Sequence, residues 1–438
     1  MRFLLPILIL CSLATGSLLA SGVWDFHAGA GINAGRADNP GFVGTENPSY
    51  DPNAPQCDPN SANPNPNASV CQKRISATRR RSDINGSLRL SGAVSGQWAA
   101  TRFDLAYSPF VSYYYDQSEL SQVSHNLNSN WSHNYTARSS ITINAIANYT
   151  PEQDVDPNAT STNRVYVNQT DQLSGGLRAG YSYAVSPKTT ISGTYRYVVR
   201  AYGSDDYVDS TTHNAGVNWR RRVTARSFIQ TGYEYGRFLY GDGPPLPASQ
   251  DPNMPADPDA VRGRDFDSSH HQASVGYGVE FGRGFRLTAN AGYNVLHPMD
   301  SHLDDSSGLY ASSEADWTGT KLFASAGYLH SLSGGSGSFT NAKADNLRAN
   351  LRYVFTQKIS SDMSLARNVN ERVAAGSSQQ SETVRTTYAR ASVNWTFAQD
   401  WSASASFTRF TQDQSGQSSQ SPEIHSNRWS AGLAWSLR

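Results

Sequence analysis

The chain has 438 residues, of which 38% are hydrophobic, 11% aromatic and 16% charged, and its 36 Lys and Arg balance its 36 Asp and Glu. A soluble domain of this length normally carries about 25% charged residues and a larger apolar share, and a disordered chain is poor in aromatic residues. The composition therefore excludes both of these classes, and the balanced charge gives no reason to expect a nucleic-acid partner.

The N-terminal segment, residues 1–22, has the features of a secretory signal peptide. Arg2 precedes a short apolar run, and small residues follow at positions 20–22 as a cleavage site. The run is too short for a spanning helix. Cys11 lies inside it, and the bulky residues before this cysteine argue against a lipoprotein processing site. We therefore predict an exported mature chain, residues 23–438.

A long loop follows a first weak strand over Val23–Gly35. This loop, residues 36–81, is dense in Asn, Pro and Asp, which favour turns. It contains Cys57 and Cys71, and in an oxidising compartment such a pair predicts a disulfide. The cross-link would stabilise the fold by about 3 kcal/mol on the chain-entropy estimate. Two cysteines alone supply too few ligands for a metal site.

After the long loop, one segment after another alternates between apolar or aromatic side chains and small, polar or Arg side chains. In the clearest example, residues 342–355, Leu347 and Leu351 alternate with Arg348 and Arg352. A period of two is that of a β-strand, because successive side chains leave opposite faces. We predict about 18 strands, each of roughly ten or more residues, the length that crosses a bilayer at a tilt.

The connections between these segments are also sorted by length. Short turns are predicted near residues 98, 134, 186, 222, 283, 319, 357 and 399, and longer loops, among them residues 241–265 and the Gly/Ser stretch 333–338, lie between them. This sorting is typical of outer-membrane barrels and has no reason to exist in a sandwich or propeller. The predicted fold is all-β: a closed antiparallel transmembrane β-barrel with short periplasmic turns and longer extracellular loops.

The two faces of such strands would meet different surroundings. The apolar face would meet lipid, with tryptophans near the strand ends at the membrane interfaces, namely Trp219, Trp317, Trp395, Trp401 and Trp429. A barrel of about 18 strands is too wide to be filled by its own side chains. We therefore expect a water-filled lumen unless loops plug it.

The inward face carries more basic than acidic residues. The candidate pore-lining residues are Arg89, Arg178, Arg196, Arg200, Arg348, Arg352 and Arg428, together with Glu280 and Glu314, and further inward acids are Asp104 and Asp316. A basic lining would favour anionic solutes. The alternative, of equal weight, is that these arginines pair with acids and only brace the wall.

The sequence predicts no enzyme, catalytic residue, cofactor or metal site. The best catalytic cluster, His270-His271 with Asp265 and Asp267, lies at a loop edge without a nucleophile motif, and a solvated polar rim explains it better. The Asp-Pro-Asn repeats at 51, 58 and 251 lack the regular spacing of a calcium loop and serve as turn formers.

The style of the strands resembles a known group of proteins. Residues 347–355 read Leu-Arg-Ala-Asn-Leu-Arg-Tyr-Val-Phe, residues 391–397 Ala-Ser-Val-Asn-Trp-Thr-Phe, and residues 399–409 Gln-Asp-Trp-Ser-Ala-Ser-Ala-Ser-Phe-Thr-Arg. They are similar to outer-membrane barrel proteins encoded with bacterial exopolysaccharide biosynthesis systems. The likeness covers most of the chain after Ser82 but carries over no functional residue. The C-terminus departs from the common barrel signal, because it ends on Arg438 instead of an aromatic residue.

The resemblance implies an outer-membrane channel of a Gram-negative bacterium that passes an exopolysaccharide or another polar solute, with sugar rings stacking on inward Tyr and Trp. Two alternatives stay open: a general or anion-selective porin, and a structural barrel that sheathes a periplasmic electron carrier. The chain itself has no Cys-x-x-Cys-His haem motif. The expected partners are outer-membrane lipid, the barrel-insertion machinery, and periplasmic export components or a polysaccharide.

Overall fold

A computed structural model gives the fold of the chain. It describes residues 23–38, 82–116, 118, 121–150, 172–203, 209–241, 267–282, 284–299, 305–336, 339–372, 383–415 and 424–437. The predicted signal peptide, most of the two predicted long loops, and both Cys57 and Cys71 lie outside these residues. Among the residues that the structure describes, no helix is long and apolar enough to cross a membrane.

The described residues form 18 strands, which confirms the predicted fold class and strand number. They are β1 (Val23–Asp38), β2 (Asp83–Gln97), β3 (Thr101–Tyr114), β4 (Gln122–Thr136), β5 (Ser139–Thr150), β6 (Gln172–Ser186), β7 (Thr189–Tyr202), β8 (Ser210–Arg222), β9 (Ser227–Tyr240), β10 (Ser268–Phe281), β11 (Phe285–Pro298), β12 (Ser306–Thr318), β13 (Leu322–Ser336), β14 (Phe339–Thr356), β15 (Ile359–Arg372), β16 (Thr383–Thr396), β17 (Trp401–Ser415) and β18 (Ile424–Leu437).

The sheet closes on itself as an up-and-down barrel. Each strand pairs antiparallel with its neighbours in sequence. The first strand pairs with the last, from Ala28 opposite Leu437 to Asp38 opposite Asn427. Closure leaves no edge strand, and in a bilayer it satisfies every backbone polar group of the spanning strands within the protein.

The short turns all lie at one rim, the short-turn rim, and the opposite end of the barrel is the long-loop rim. The turns occupy residues 98–100, 137–138, 187–188, 223–226, 282–284, 319–321, 357–358 and 397–400, each within a few residues of its predicted position. In the turn after β10, Gly282 and Gly284 have φ angles of 58° and 110°. These are left-handed conformations that favour glycine, which explains the Gly-Arg-Gly sequence there.

Two predicted boundaries were wrong. The Gly/Ser stretch at residues 333–338 was expected to be a loop, but β13 and β14 stay paired up to Ser336 and Phe339. The prediction missed these strand ends because small polar residues show no apolar alternation. The first long loop was expected to begin at residue 36, whereas β1 continues to Asp38, whose carboxylate accepts a hydrogen bond from the Asn427 side chain at 2.7 Å.

The outward face of the barrel is apolar and exposed. Ile32 is 58% exposed, Val217 55% and Val275 59%, which reverses the pattern of a soluble protein. Eight of the nine tryptophans occupy outward positions on strands, and Trp98 lies in the turn after β2. An apolar belt around a closed barrel is the surface that lipid covers, so the chain is a transmembrane barrel of the outer-membrane type.

Most, but not all, of the tryptophans lie where the sequence placed them. Trp219, Trp317, Trp395 and Trp401 lie within four residues of the short-turn ends of their strands, as predicted. Trp429 lies inside β18, where its ring packs against Phe407 with a centroid distance of 4.2 Å. The prediction for Trp429 was therefore wrong, because alternation fixes the face of a residue but not its depth in the membrane.

Candidate pore lining

All nine residues proposed from the sequence as pore lining occupy inward positions. They are Arg89 on β2, Arg178 on β6, Arg196 and Arg200 on β7, Glu280 on β10, Glu314 on β12, Arg348 and Arg352 on β14, and Arg428 on β18. Most of them are flanked in sequence by apolar residues of the outward face. Leu88 and Leu90, for example, flank Arg89 and are 40% and 46% exposed.

A lumen cavity of about 700 Å³ lies along β16, β17, β18, β1 and β2. We call this part of the wall the cationic arc. Arg89, Arg390 and Arg428 line it together with many small Ser, Asn and Ala side chains, and none of the lining residues is Asp or Glu. Because the lining holds three guanidinium groups and no carboxylate, it carries a net positive charge.

Within the cationic arc the arginines stand apart from one another. The Arg89 guanidinium lies 5.3 Å from the centre of the Phe110 ring, a cation–π contact with the directly paired residue of β3. Arg390 and Arg428 flank Thr408 in one cross-strand row, so that two strand spacings separate them. Both Arg89 and Arg390 are exposed to the lumen. Spacing of this kind leaves room for an anion or for water between the charged groups.

The wall formed by β12 to β15 is built differently, and we call it the paired arc. Arg348 Nη2 donates a hydrogen bond to Glu314 Oε1 at 3.0 Å, and Arg352 Nε lies 3.8 Å from Asp362 Oδ1. The amide of Asn394 donates to the other oxygen of Asp362 at 2.8 Å. Here the alternative derived from the sequence applies, because inward arginines pair with inward acids across the strands.

Glycine makes one of these pairs possible. Glu314 and Arg348 lie on β12 and β14, and Gly327 of β13 stands between them in the same cross-strand row. A Cβ atom on Gly327 would lie 2.8 Å from Arg348 Nε. The absence of a side chain therefore lets the Arg348 side chain cross β13 and reach the carboxylate.

A second lumen cavity, of about 710 Å³, lies along β6 to β12. Its charged lining residues are Arg178, Lys188, Arg220, Arg222 and Glu234, four cations against one carboxylate. Glu234 Oε1 lies 3.9 Å from Nη2 of Arg196, which in turn stands directly opposite Arg178 across β6 and β7. Like charges opposite one another destabilise a sheet. Strand pairing therefore does not explain why both positions carry arginine.

The sequence reasoning missed several cations of the lumen. Arg220, Arg222, Arg286 and Arg390 were not among the candidates, although each lies at an inward position. The first three flank short turns, where alternation is hard to follow. Two of them face the Phe228 ring: the Arg220 guanidinium lies 3.4 Å from the ring centre, and the Arg286 guanidinium lies 5.9 Å from it. Arg390 alternates with Ala389 and Ala391 and was identifiable by the rule that found Arg348.

The lumen changes character toward the long-loop rim. Several inward residues near the long-loop ends of their strands are shielded from solvent, with Tyr114 and Asn370 fully buried and Leu296 and Gln412 nearly so. Somewhat deeper, Tyr388 and Phe410 are buried and directly paired across β16 and β17. Open, charged cavities thus give way to a closed-in zone with mostly neutral side chains.

The histidine cluster weighed as a catalytic site does not exist as such. Successive residues of a strand point to opposite faces, so His270 lies inside the barrel, 4% exposed, and His271 lies outside, where it contacts Tyr233. Asp267 accepts a hydrogen bond from the Tyr240 backbone, and Asp265 lies outside the described residues. A solvated polar rim was also the wrong expectation for His270. In the described part of the chain, no group of three His, Cys, Asp or Glu side chains could hold a metal ion.

Neither a protein-family model nor a curated protein sequence matches the chain. Among solved structures, it is similar to OpdQ of Pseudomonas aeruginosa, with a TM-score of 0.44, 8% identity, and coverage of 95% of this chain and 98% of that one. OccAB4 of Acinetobacter baumannii has a TM-score of 0.44 and 10% identity, over 95% of this chain and 99% of that one. The Pseudomonas aeruginosa siderophore receptor PirA has a TM-score of 0.40 and 9% identity, over 94% of this chain and 80% of that one. Likeness at this level carries no argument about function, which therefore depends on the lumen itself.

Proposed function

We propose that the barrel is a passive channel for small polar solutes with a preference for anions. The observation that carries the proposal is the cationic arc, whose cavity is lined by Arg89, Arg390 and Arg428 and by no carboxylate. The second cavity adds four cations against Glu234. Charged rings and walls of one sign raise the local concentration of the opposite ion and lower its barrier to entry.

Barrel width supports a channel. Barrels of 16–18 strands leave an aqueous lumen, whereas eight strands are filled by their own side chains. The inward residues around both cavities are small, with Ser, Thr, Asn and Gly between the arginines. The closed-in zone near the long-loop rim makes the narrow part of the path, so we expect a small single-channel conductance and discrimination by size.

Planar-bilayer recording tests the proposal directly. Purified mature protein is added to a bilayer that separates two KCl solutions of different concentration, and the reversal potential reports the ratio of chloride to potassium permeability. We expect discrete conductance steps and a reversal potential of the sign that chloride selectivity produces. Barrels that insert without any conductance, or that favour potassium, would contradict the proposal. Liposome swelling with anionic, neutral and cationic sugars of equal size measures the same preference for organic solutes.

The two other functions expected from the sequence find less support. Passage of an exopolysaccharide was expected to use inward Tyr and Trp for stacking, but the strand-borne tryptophans face outward, and of the inward tyrosines Tyr114, Tyr240 and Tyr388 are buried while Tyr310 lines the second cavity. No observation on the described residues favours a sheath around an electron carrier. Both remain untested predictions, and the bilayer experiment addresses the first of them if dextrans of increasing length are added as blockers.

A further inference from the structure

The outward face of β15, β16, β17, β18 and β1 has a depression in its apolar surface. This groove has a volume of about 550 Å³ and its floor is made of four alanines, namely Ala34, Ala391, Ala405 and Ala431. Larger side chains border it, with Met363 and Val393 on one side and Phe407 and Trp429 on the other. Small residues between large ones leave a gap in the wall that is open to the lipid phase.

Basic side chains stand at the end of this groove nearest the long-loop rim. Arg409 follows Phe407 by one same-face step on β17, and Arg367 and Arg385 lie on the adjacent β15 and β16. Arg36 borders the groove itself, directly opposite Trp429. All four are exposed on the outward face. We call these four arginines the outer arginine cluster; the outward carboxylates Asp38, Glu371 and Asp413 lie at the same end of β1, β15 and β17.

The outer arginine cluster has no carboxylate partner among the described residues. No described Asp or Glu oxygen lies within ion-pair distance of Arg367, Arg385 or Arg409, even though Asp413 stands opposite Arg385 in the register. Arg36 donates a hydrogen bond to the Ser82 hydroxyl at 3.0 Å. Cations on the lipid face of a barrel are least costly near an interface or beside an anion, so these unpaired arginines lie where an anionic headgroup can reach them.

Between β3 and β10 the outward face carries a different set of polar groups. There the outward polar groups satisfy one another: the Tyr107, Tyr195 and Tyr233 hydroxyls each hydrogen-bond a histidine on the next strand, at 2.7–2.8 Å. These pairs are a self-contained interface girdle. The groove face carries four outward arginines, against Arg221 and Arg237 on β8 and β9, and guanidinium is the side chain best suited to bind phosphate in a bidentate manner.

We propose that the groove and the outer arginine cluster together bind a phosphorylated lipid of the leaflet at the long-loop rim. Acyl chains would lie in the alanine-floored groove between Met363 and Phe407. The phosphate groups would lie against Arg367, Arg385 and Arg409. Apolar contact along the chains and charge-assisted hydrogen bonds at the headgroup are the two forces that select a lipid, and basic patches beside spanning segments bind anionic headgroups.

A second copy of the chain fits this surface less well. A two-fold dimer through the groove would bring the same patch of each copy against itself. The four arginines of each copy would then face those of the other and repel, because they outnumber the outward carboxylates Asp38, Glu371 and Asp413 beside them. A lipid phosphate removes that repulsion. This complementarity of charge is the reason to commit to a lipid as the occupant.

Native mass spectrometry of the full-length protein in detergent tests the site, with lipid A as the probe. The variants are the triple change R367Q/R385Q/R409Q, which removes three of the four charges of the cluster, and A405L/A431L, which fills the groove. The matched control is R221Q/R237Q, two outward arginines on β8 and β9 remote from the groove. Folding of each variant is checked by heat-modifiable migration on a gel, and the single change R409Q replaces the triple variant if that one does not fold.

We expect the apparent affinity for lipid A to fall by about tenfold or more in the triple variant, a loss of 1.4 kcal/mol or more, and to fall in the groove variant, with the control unchanged. Dephosphorylated lipid A should bind weakly to the parent protein, and inorganic phosphate should not displace the lipid at equal concentration. Equal binding by the triple variant and the parent protein would overturn the proposal. So would a lipid-free dimer of the parent protein that A405L/A431L converts to a monomer. Neither outcome depends on whether the barrel conducts ions.

Discussion

The cationic arc and the paired arc are adjoining stretches of one wall, β16 to β2 and β12 to β15, and use the same residue for different ends. In the paired arc, Arg348 and Arg352 reach Glu314 and Asp362 on the neighbouring or next strand. In the cationic arc, the lining of the cavity offers Arg89 and Arg390 no carboxylate at all. The alternation of the strands is the same in both, so the difference lies entirely in which inward positions carry acids.

This difference gives the two arcs different roles: paired arginines support the wall, and unpaired arginines set the selectivity for ions. A guanidinium 3–4 Å from a carboxylate forms a nearly neutral pair whose field decays within a short distance, and a half-exposed pair contributes about 0–1 kcal/mol to stability. A guanidinium without a counter-charge keeps its field, which extends about 10 Å into the lumen at 0.1 M salt. Counting inward arginines therefore overestimates the charge that a passing ion experiences, and the acids must be counted with them.

The largest effect should come from removing the charge of the cationic arc. We expect R89Q/R390Q/R428Q to lower the ratio of chloride to potassium permeability by about threefold or more, because the cavity loses all of its arginines while its size changes little. The reversal potential under a KCl gradient measures the ratio. Unchanged selectivity with unchanged conductance would show that ions do not pass through this cavity.

The matched control for this variant is R348Q/E314Q in the paired arc. It removes an arginine and its acid together, and the net charge of the wall stays the same. We expect a selectivity close to that of the parent protein. If the control lowers chloride permeability as much as the triple variant does, the distinction between the two arcs fails.

Breaking a single pair should give opposite effects of smaller size. E314Q leaves the Arg348 guanidinium without its carboxylate and should raise the preference for chloride, whereas R348Q exposes Glu314 and should lower it, each by less than about twofold. The same reversal-potential measurement applies. Changes of equal sign in the two variants would mean that the pair acts through the shape of the lumen and not through its charge.

Most of the fold could be predicted from the sequence because simple sequence patterns determine the topology of a membrane barrel. Period-two alternation identified the strands, and turn-forming residues located the eight short turns. The Gly/Ser stretch at the end of β13 was missed because it lacks apolar residues, although its backbone pairs as regularly as the rest. Closure through β1 and β18 followed from the need to leave no edge in lipid.

The functional surfaces were only half predictable. Alternation assigns a face, and it placed Arg89 and Arg348 inside. It says nothing about which residues meet across strands, because that depends on register. Arg348 reaches Glu314 only because Gly327, which stands between them, has no side chain to block its path. The groove and its outer arginine cluster are likewise formed by five strands together, and no single segment of the sequence indicates them.

The smallest effect should come from Gly327, which tests how the paired arc is built. In G327V the new side chain would occupy the space that Arg348 uses to cross β13, so the Arg348–Glu314 pair should be lost while the charge of the lumen is unchanged. We expect nearly parental selectivity and a loss of stability of about 1 kcal/mol, since an exposed pair contributes little. The midpoint temperature at which the folded band disappears on unheated gels measures the loss. G327V and R348Q/E314Q both remove the pair and leave the net charge unchanged. Adding R348Q/E314Q to G327V should therefore cost no further stability. An additive loss would mean that the glycine serves the packing of β13 and not the ion pair.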